Sequence, residues 1–156
     1  MGQKVCMRIS LLYIQQNKTK NAESFEDHFL RKLNKNMDIT VKGITLKKKF
    51  KSKKEQIEYE SKSLKEKIGK QSYICFDKAG QKMSSNEFSE NLYKSNEKVY
   101  LVVGGAFGLS QEIKDQSSQV ISFSDMEFSH EVFRVMLIEQ IYRAYCIFNN
   151  HPYHQN

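Results

Sequence analysis

Apolar residues in the first half of the chain follow strand and helix periods in turn. They fall at every second position over residues 5–11, which predicts a strand with one face more buried than the other. A single apolar stripe over residues 25–33 predicts a helix, and residues 38–46 have the pattern of a second strand. Apolar positions at spacings of seven and four then predict a charged helix that ends at Gly69, followed by a strand over residues 73–76.

The second half alternates strands and helices more strongly, with short connections. Residues 77–80 predict a turn, and Ser84 with Glu87 forms the S-x-x-E pattern of a helix capping box. The run 99–103 is apolar throughout, as in a central parallel strand with both faces covered. Three more elements complete the pattern: a short helix capped by Ser110, a strand over residues 120–123 and a long helix over residues 130–149.

The alternation of strands and helices predicts an α/β fold, with a mostly parallel sheet and helices on both faces. We expect one domain over residues 1–156, because a chain of this length with 39% hydrophobic residues has apolar matter for a single core. The helix over residues 130–149 is apolar nearly all round. Two explanations are open: one side of this helix packs on a second copy of the chain, or the helix is buried within its own domain.

Composition narrows the class of protein. No apolar run approaches the roughly 20 residues of a membrane-spanning helix, and the N-terminal residues lack the apolar stretch of a secretory signal, so we expect a cytoplasmic protein. Cys6, Cys75 and Cys146 are odd in number and lie in apolar segments, as expected of reduced core thiols. Neither a zinc motif nor a CxxC pair occurs, and we expect no bound metal.

The charge balance favours a polyanionic partner. The chain has 25 Lys and Arg residues against 18 Asp and Glu, for a net charge of +7. Such an excess strengthens binding to phosphates through counterion release. Six of the eight residues at 47–54 are lysines, and this lysine cluster is either a phosphate-binding patch or a solvated loop.

Three segments carry candidate chemistry. Residues 104–108, Gly-Gly-Ala-Phe-Gly, lie between a buried strand and a helix, where glycines allow close approach to a ligand or serve only the turn. Residues 123–130 join a strand to the long helix, and taken alone they supply only a helix cap. Residues 151–156 contain the only proline of the chain, which stops the helix. They also contain His151 and His154, but no third ligand is suitably spaced for the pair to bind a metal.

Taken together, the motifs of the second half resemble the RlmH family. They are Leu-Val-Val-Gly-Gly-x-x-Gly-Leu-Ser at residues 101–110, Phe-Ser-x-Met-x-Phe-x-His-x-x-x-Arg at residues 123–134, Glu-Gln-Ile-Tyr-Arg-Ala at residues 139–144 and Pro-Tyr-His at residues 152–154. The resemblance covers roughly residues 7–154 and is strong from Tyr73 onward. Members of this family are S-adenosylmethionine-dependent (pseudouridine-N3)-methyltransferases of 23S ribosomal RNA, in the SPOUT superfamily.

The resemblance implies a C-terminal trefoil knot and a homodimer with S-adenosylmethionine sites near its interface. It also implies that residues 1–6 are a short N-terminal extension and residues 150–156 a functional C-terminal tail. Adenine needs an apolar slot and backbone hydrogen bonds, which three loops would supply. The implied cofactor-binding residues are Phe76, Gly104, Gly105, Gly108, Phe123, Ser124, Asp125, Met126, Glu127 and Phe128.

The reaction that the resemblance implies is methylation of N3 of a pseudouridine in helix 69 of the 23S RNA, on the assembled ribosome. That nitrogen is an imide, so the enzyme must orient the base and favour loss of its proton. His154 is the first candidate for a general base or an anion-stabilising donor, because imidazole titrates near neutral pH. The same histidine is equally suited to fixing the tail at the dimer interface. Arg134, Arg143 and Tyr153 are expected near the RNA or the methyl-transfer site, in trans if the dimer forms.

The chain departs from the family pattern at four positions. Ala106 and Phe107 stand where proline and glutamate are common, Ser129 where proline is common, and Gln155 where a basic residue is usual. Two other functions are therefore open. One is a SPOUT methyltransferase that acts on transfer RNA, and the other is a non-catalytic RNA-binding or ribosome-associated relative with a lapsed cofactor site.

Overall fold

A parallel β-sheet forms the centre of the molecule. The computed structural model describes residues 7–15, 20–46, 49–94 and 98–154. Within these ranges the strands are β1 (Arg8–Gln15), β2 (Asp38–Thr45), β3 (Tyr73–Lys82), β4 (Val99–Val103) and β5 (Gln119–Ser122). They form one sheet in the order β2-β1-β4-β3-β5, and each neighbouring pair is parallel.

Helices cover both faces of this sheet. They are α1 (Lys20–Asn34), α2 (Lys53–Ile68), α3 (Ser85–Tyr93), α4 (Gln111–Gln116) and α5 (His130–Phe148). Leu33 of α1, Phe88 of α3 and Leu137 of α5 belong to one apolar cluster. Leu64 of α2 and Ile113 of α4 belong to a second cluster on the opposite face. The predicted α/β fold, a parallel sheet with helices on both faces, is confirmed.

The central strand is the apolar run that the sequence singled out. In β4, Leu101 lies in the first cluster and Val102 in the second, and both side chains are fully buried. Successive side chains of a strand point to opposite faces, so a strand with helices on both sides needs apolar residues at every position.

The predicted turn at residues 77–80 is wrong. The backbone continues as β3 to Lys82, and the four residues form an irregular bulge, because Phe76 and Gln81 both pair with Ile121 of β5. The side chain of Asp77 accepts the backbone N–H of Ala79 at 2.9 Å, the local bond by which aspartate favours turns. The turn chemistry is therefore present, but pairing with β5 keeps the segment in the sheet.

Helix ends were predicted well. Ser84 and Glu87 form both bonds of the capping box at the start of α3. Ser110 accepts the backbone N–H of Ile113, and Ser129 caps α5 in the same way. Each such cap stabilises its helix by about 1 kcal/mol.

The strand predicted over residues 5–11 lies only partly within the described ranges, which begin at residue 7. The observed strand β1 extends further than predicted, to Gln15, because residues 12–14 are also apolar.

Two cysteines lie in the core as free thiols. Cys75 and Cys146 are fully buried, and burial raises the pKa of Cys75 to about 12. Cys6 lies outside the described residues.

Among the helices of the described ranges, none combines the length and apolar character that a bilayer crossing demands.

Candidate functional site

Three loops border a cavity of about 370 Å³: the bulge within β3, the residues after β4 and the residues after β5. They meet at the edge of the sheet where β4 and β5 have their carboxyl ends. In parallel sheets this edge is where ligands bind. The structure brings together the residues predicted for the cofactor, with one exception: Asp125 does not line the cavity. The lining residues from that prediction are Phe76, Gly104, Gly105, Gly108, Phe123, Ser124, Met126, Glu127 and Phe128.

One wall of the cavity is aromatic. The ring of Phe76 lies 5.7 Å from that of Phe123 and 6.0 Å from that of Phe133, and Phe123 and Phe133 are 4.9 Å apart. At these separations the rings pack as a rigid apolar group. Such a wall suits a flat, weakly polar heterocycle.

The opposite wall is the glycine loop, residues 104–108, in which backbone segments approach closely. The N–H of Gly108 donates to the carbonyl of Gly105 at 3.1 Å, and Gly108 has a φ of +77°, which other residues rarely adopt. A Cβ on Gly104 would lie 2.8 Å from the carbonyl carbon of Gly108. The close approach therefore requires glycine at both positions.

The third loop, residues 123–128, is tied to the end of β3 by two ion pairs. Lys82 contacts Asp125, and Lys78 Nζ lies 3.3 Å from Glu127 Oε1. All four side chains are more than half exposed, so each pair contributes little to stability. Met126, at the tip, is 75% exposed. The loop is weakly held and its acidic groups are neutralised by lysines.

Asp77 is a cavity residue that the sequence analysis assigned only to a turn. Its Oδ2 lies 3.7 Å from Lys114 Nζ, and the same carboxylate borders Gly108. The signal that could have found it is its position directly after the apolar segment of β3, at the ligand-binding edge of a parallel sheet.

His130 also lines the cavity, in the first turn of α5. Burial, and then the charge of Arg134, lower the pKa of His130, so its imidazole is neutral at pH 7. The pattern of residues 123–130 by itself indicated only a helix cap and gave His130 no separate role.

A second polar cluster surrounds Glu139, in the middle of α5. Glu139 Oε1 accepts Nε and Nη2 of Arg143 at 3.1 and 2.7 Å, and Tyr153 Oη at 3.0 Å. Burial and the bond to Glu139 raise the pKa of Tyr153, which keeps the phenol protonated. The i,i+4 spacing of Glu139 and Arg143 is that of a helix-supporting pair, but spacing does not show that the tail returns to the same carboxylate.

His154 joins this cluster through Arg143. The distance between Arg143 Nη1 and His154 Nδ1 is 3.1 Å. Because every guanidinium nitrogen is a donor, Nδ1 must accept, and the imidazole proton therefore sits on Nε2. In this arrangement His154 presents an N–H donor to an incoming group.

The tail is docked onto α5. Asn150 has a φ of 55°, and the N–H of His151 donates to the carbonyl of Cys146 at 2.8 Å, so the chain turns back at the helix end. The ring of Tyr153 then packs edge-on against Tyr142 at 4.8 Å. The predicted helix stop is confirmed, and residues 151–154 lie against the helix.

Arg134 lies apart from the other three predicted catalytic residues. Its Nε donates to Glu26 Oε1 at 3.0 Å, both side chains are 2% exposed, and the guanidinium stacks on Tyr13 at 4.3 Å. A buried ion pair between α1 and α5 is a structural link, and in this subunit Arg134 offers no exposed atom to a substrate.

The remaining sequence candidates fall partly outside the described ranges. Lys47, Lys48 and Gln155 are not described, whereas the lysines at 49, 51, 53 and 54 are exposed around the start of α2. Over the described part of the chain, no three His, Cys, Asp or Glu side chains are grouped to hold a metal ion.

Comparisons with known proteins identify the family of this chain. The family model described as "Predicted SPOUT methyltransferase" matches residues 7–154. A Clostridium botulinum (strain Okra / Type B1) protein named ribosomal RNA large subunit methyltransferase H is 32% identical over 159 residues, which cover 96% of this chain and 100% of that protein.

Shorter matches have higher identity. Proteins of the same name from Campylobacter concisus and Dictyoglomus thermophilum are 43% and 45% identical over 82 and 85 residues. These matches cover 53% and 52% of this chain and 54% and 56% of the two relatives, so the chain spans about half the length of each.

A solved structure shows the same fold. It is a probable methylase family protein from Haemophilus influenzae Rd KW20, with a TM-score of 0.58 and 12% identity, over 96% of this chain and 70% of that chain. The motifs in the three loops, the parallel sheet and the family match over residues 7–154 lead to one conclusion: the chain belongs to the SPOUT methyltransferase family, as its resemblance to RlmH predicted.

Proposed function

We propose that this protein transfers a methyl group from S-adenosylmethionine to N3 of a pseudouridine in helix 69 of 23S ribosomal RNA, within the assembled ribosome. The observation that carries the proposal is the cavity between the three loops, with its aromatic wall and glycine loop. The names of the relatives, ribosomal RNA large subunit methyltransferase H, support the choice of ribosomal RNA. With a ribosomal substrate, we propose a cytoplasmic location.

The cavity residues fit S-adenosylmethionine. The volume of the cavity lies within the range of about 300–1,000 Å³ common for small-molecule sites. Phe76 and Phe123 offer an apolar slot for adenine, and the glycine loop offers backbone groups. Asp77, which lines the cavity, offers a carboxylate to hydroxyl or ammonium groups. When bound, the cofactor supplies an electrophilic methyl on a sulfonium.

The protein's own part in the reaction is to orient the base and stabilise the imide anion. The Nε2–H of His154 is a donor for a carbonyl oxygen of the pseudouridine, where the negative charge accumulates once N3 has lost its proton to solvent water. Arg143 holds that imidazole and adds a positive charge, and Glu139 fixes Arg143. None of these three lines the cavity of the same subunit, which supports our proposal that they act in trans.

An apolar groove between α1 and α5 is the surface that we assign to a second copy of this chain. Phe25 is 61% exposed and Val132 49% exposed, and with Val135 and Met136 they line a groove of about 370 Å³. Contiguous exposed apolar side chains are typical of subunit interfaces. We propose that this homodimer carries the trefoil knot of the family in each subunit.

Val132→Asp is expected to convert the dimer to monomers, because a carboxylate in an apolar interface has no counter-ion. Sedimentation equilibrium measures the mass. Asn34→Asp, an exposed α1 position outside the groove, serves as the control and remains dimeric. A wild-type protein that is monomeric at assay concentrations would contradict the proposed interface.

His154→Ala is expected to lower turnover by about 100-fold or more, the usual cost of removing one stabilising donor, with S-adenosylmethionine affinity nearly unchanged. Methyl transfer to ribosomes from cells that lack the protein measures turnover, and calorimetry measures affinity. His151→Ala, in the same tail, is the comparison: its Nδ1 accepts the backbone N–H of Tyr153 at 3.1 Å, so this variant loosens the tail without removing the His154 donor. Equal losses of turnover in the two variants would mean that the shape of the tail matters and the His154 donor does not.

The deciding experiment is mass mapping of methylated nucleosides in ribosomes from cells with and without the protein. We expect one methylated pseudouridine of the 23S RNA to disappear. Activity on naked transfer RNA with none on ribosomes would favour the transfer RNA methyltransferase. A protein that binds ribosomes but not S-adenosylmethionine would favour the non-catalytic relative.

A further inference from the structure

Helix α2 contacts the glycine loop and the residues after it. The Lys53 ammonium lies over the ring of Phe107 at 5.1 Å, and Ser61 Oγ is hydrogen-bonded to Ser110 Oγ, two residues after the loop. Between these two points, Glu60 reaches Gly105. None of the α2 residues lines the cavity, so the helix supports the loop from behind.

Glu60 is the unusual member of this contact. Its side chain is 2% exposed, and its Oε1 accepts Nε2 of Gln56 at 3.0 Å. No ion pair to Glu60 is formed by any lysine or arginine in the described ranges. Burial raises the pKa of this carboxyl, because the charged form is poorly solvated. Burying a carboxyl group in this environment lowers the stability of the protein. The role of Glu60 therefore lies in the contact that it makes.

The carboxyl group touches the α-carbon face of Gly105. A Cβ at this glycine would lie 2.8 Å from Oε1 and 3.1 Å from Oε2 of Glu60. Gly105 is buried, and its carbonyl accepts the N–H of Gly108 that closes the loop. The Glu60 carboxyl therefore occupies the space that a side chain at position 105 would need.

We propose that Glu60 is a positioning residue that holds the glycine loop, through Gly105, in the shape that binds the cofactor. This role rests on the proposed function only for the identity of the ligand. The carboxyl acts through the backbone of the loop and does not touch the substrate or the cofactor.

Local amide exchange in the ligand-free protein tests the role without any cofactor. Glu60→Ala is expected to raise the exchange rates of residues 104–110 by about tenfold, while the core strands keep theirs. Glu60→Gln preserves the length of the side chain and the contact, so it should stay within about twofold of wild type. Glu58→Ala, exposed on the same helix, is the matched control and should change nothing.

Glu60→Asp separates contact from charge and is the variant to use if Glu60→Ala fails to fold. It keeps the carboxylate but is one methylene shorter, so it withdraws from Gly105. We expect loop exchange and the Kd for S-adenosylmethionine, measured by calorimetry, to rise about as much as in Glu60→Ala. Near-wild-type values in Glu60→Asp together with loosening in Glu60→Gln would overturn the proposal, because charge rather than contact would then matter.

A double substitution gives the sharpest test. Gly105→Ala is expected to weaken S-adenosylmethionine binding by about tenfold, because its Cβ meets Glu60. Adding Glu60→Ala should recover most of the loss, because the new methyl then fills the space that the carboxyl leaves and supports the loop in its place. Gly104→Ala should show no such recovery, since its Cβ meets the backbone of Gly108.

Absence of recovery at Gly105, or unchanged loop exchange in Glu60→Ala, would overturn the role of Glu60. A wild-type protein that binds no S-adenosylmethionine, with loop exchange still dependent on Glu60, would instead contradict the proposed function and leave the positioning role supported.

Discussion

Gly104→Ala is expected to raise the Kd for S-adenosylmethionine by about 100-fold or more, a loss of roughly 2.7 kcal/mol of binding free energy. The new Cβ would lie 2.8 Å from the carbonyl carbon and 3.0 Å from the carbonyl oxygen of Gly108, and 3.0 Å from Leu109 Cγ. Backbone atoms cannot move aside as a flexible side chain can, so the loop must open, and the cavity loses one wall. Gly105→Val should abolish binding as well, because a branched side chain cannot share the space of Glu60.

Calorimetric titration measures the Kd of each variant, and thermal unfolding confirms that the variants fold. Gln116→Ala, at an exposed position of α4 that does not line the cavity, is the control and should bind within about threefold of wild type. Wild-type affinity in Gly104→Ala or Gly105→Val would mean that the cofactor binds elsewhere.

Arg134→Met is expected to lower the free energy of unfolding by about 3–5 kcal/mol, the usual cost of leaving a buried charge without its partner cation. Glu26 and Arg134 are both 2% exposed, and the methionine would fill much of the volume but offer no donor to the carboxylate. Because a domain has only about 5–15 kcal/mol of stability in total, the loss should be visible as a large fall in Tm.

Chemical denaturation measures the free energy of unfolding. Arg8→Met breaks an ion pair of the same type, with Asp38 at 3.8 Å, but both side chains are more than half exposed, so its cost should stay below about 1 kcal/mol. The double variant Arg134→Met with Glu26→Leu should regain most of the loss, because no buried charge remains. Normal stability with reduced turnover in Arg134→Met would return this arginine to the methyl-transfer site.

The residues that border the cavity between the three loops were largely predictable, because the segments that contain them are local in sequence. The buried strand β4 and the glycines that follow it are adjacent in sequence, and so are β5 and the loop at residues 123–128. In a parallel sheet all carboxyl ends lie at one edge, so segments that each end a strand must meet there. Asp77 was misjudged because its turn chemistry is real but is overridden by pairing between β3 and β5.

The polar pairings were not predictable, because each depends on two elements that the sequence keeps far apart. Arg134 meets Glu26 across 108 positions, and a motif-based expectation placed it beside the RNA instead. Glu139 receives Tyr153 only because the chain turns back at Asn150. Nothing in the local pattern around Glu60 indicates that its carboxyl fills the space beside Gly105.

The order of apolar and polar residues determined the strands, the helices with their serine caps, and the glycine loop that ends the central strand. Those features follow from interactions within a few residues of chain, whose preferences are local. The tertiary structure alone decided that β4 lies between β1 and β3, that Arg134 is buried with Glu26, and that the tail joins Glu139. The partner of a charged or aromatic side chain depends on which distant elements pack against it. Burial in that packed interior then strengthens the contact.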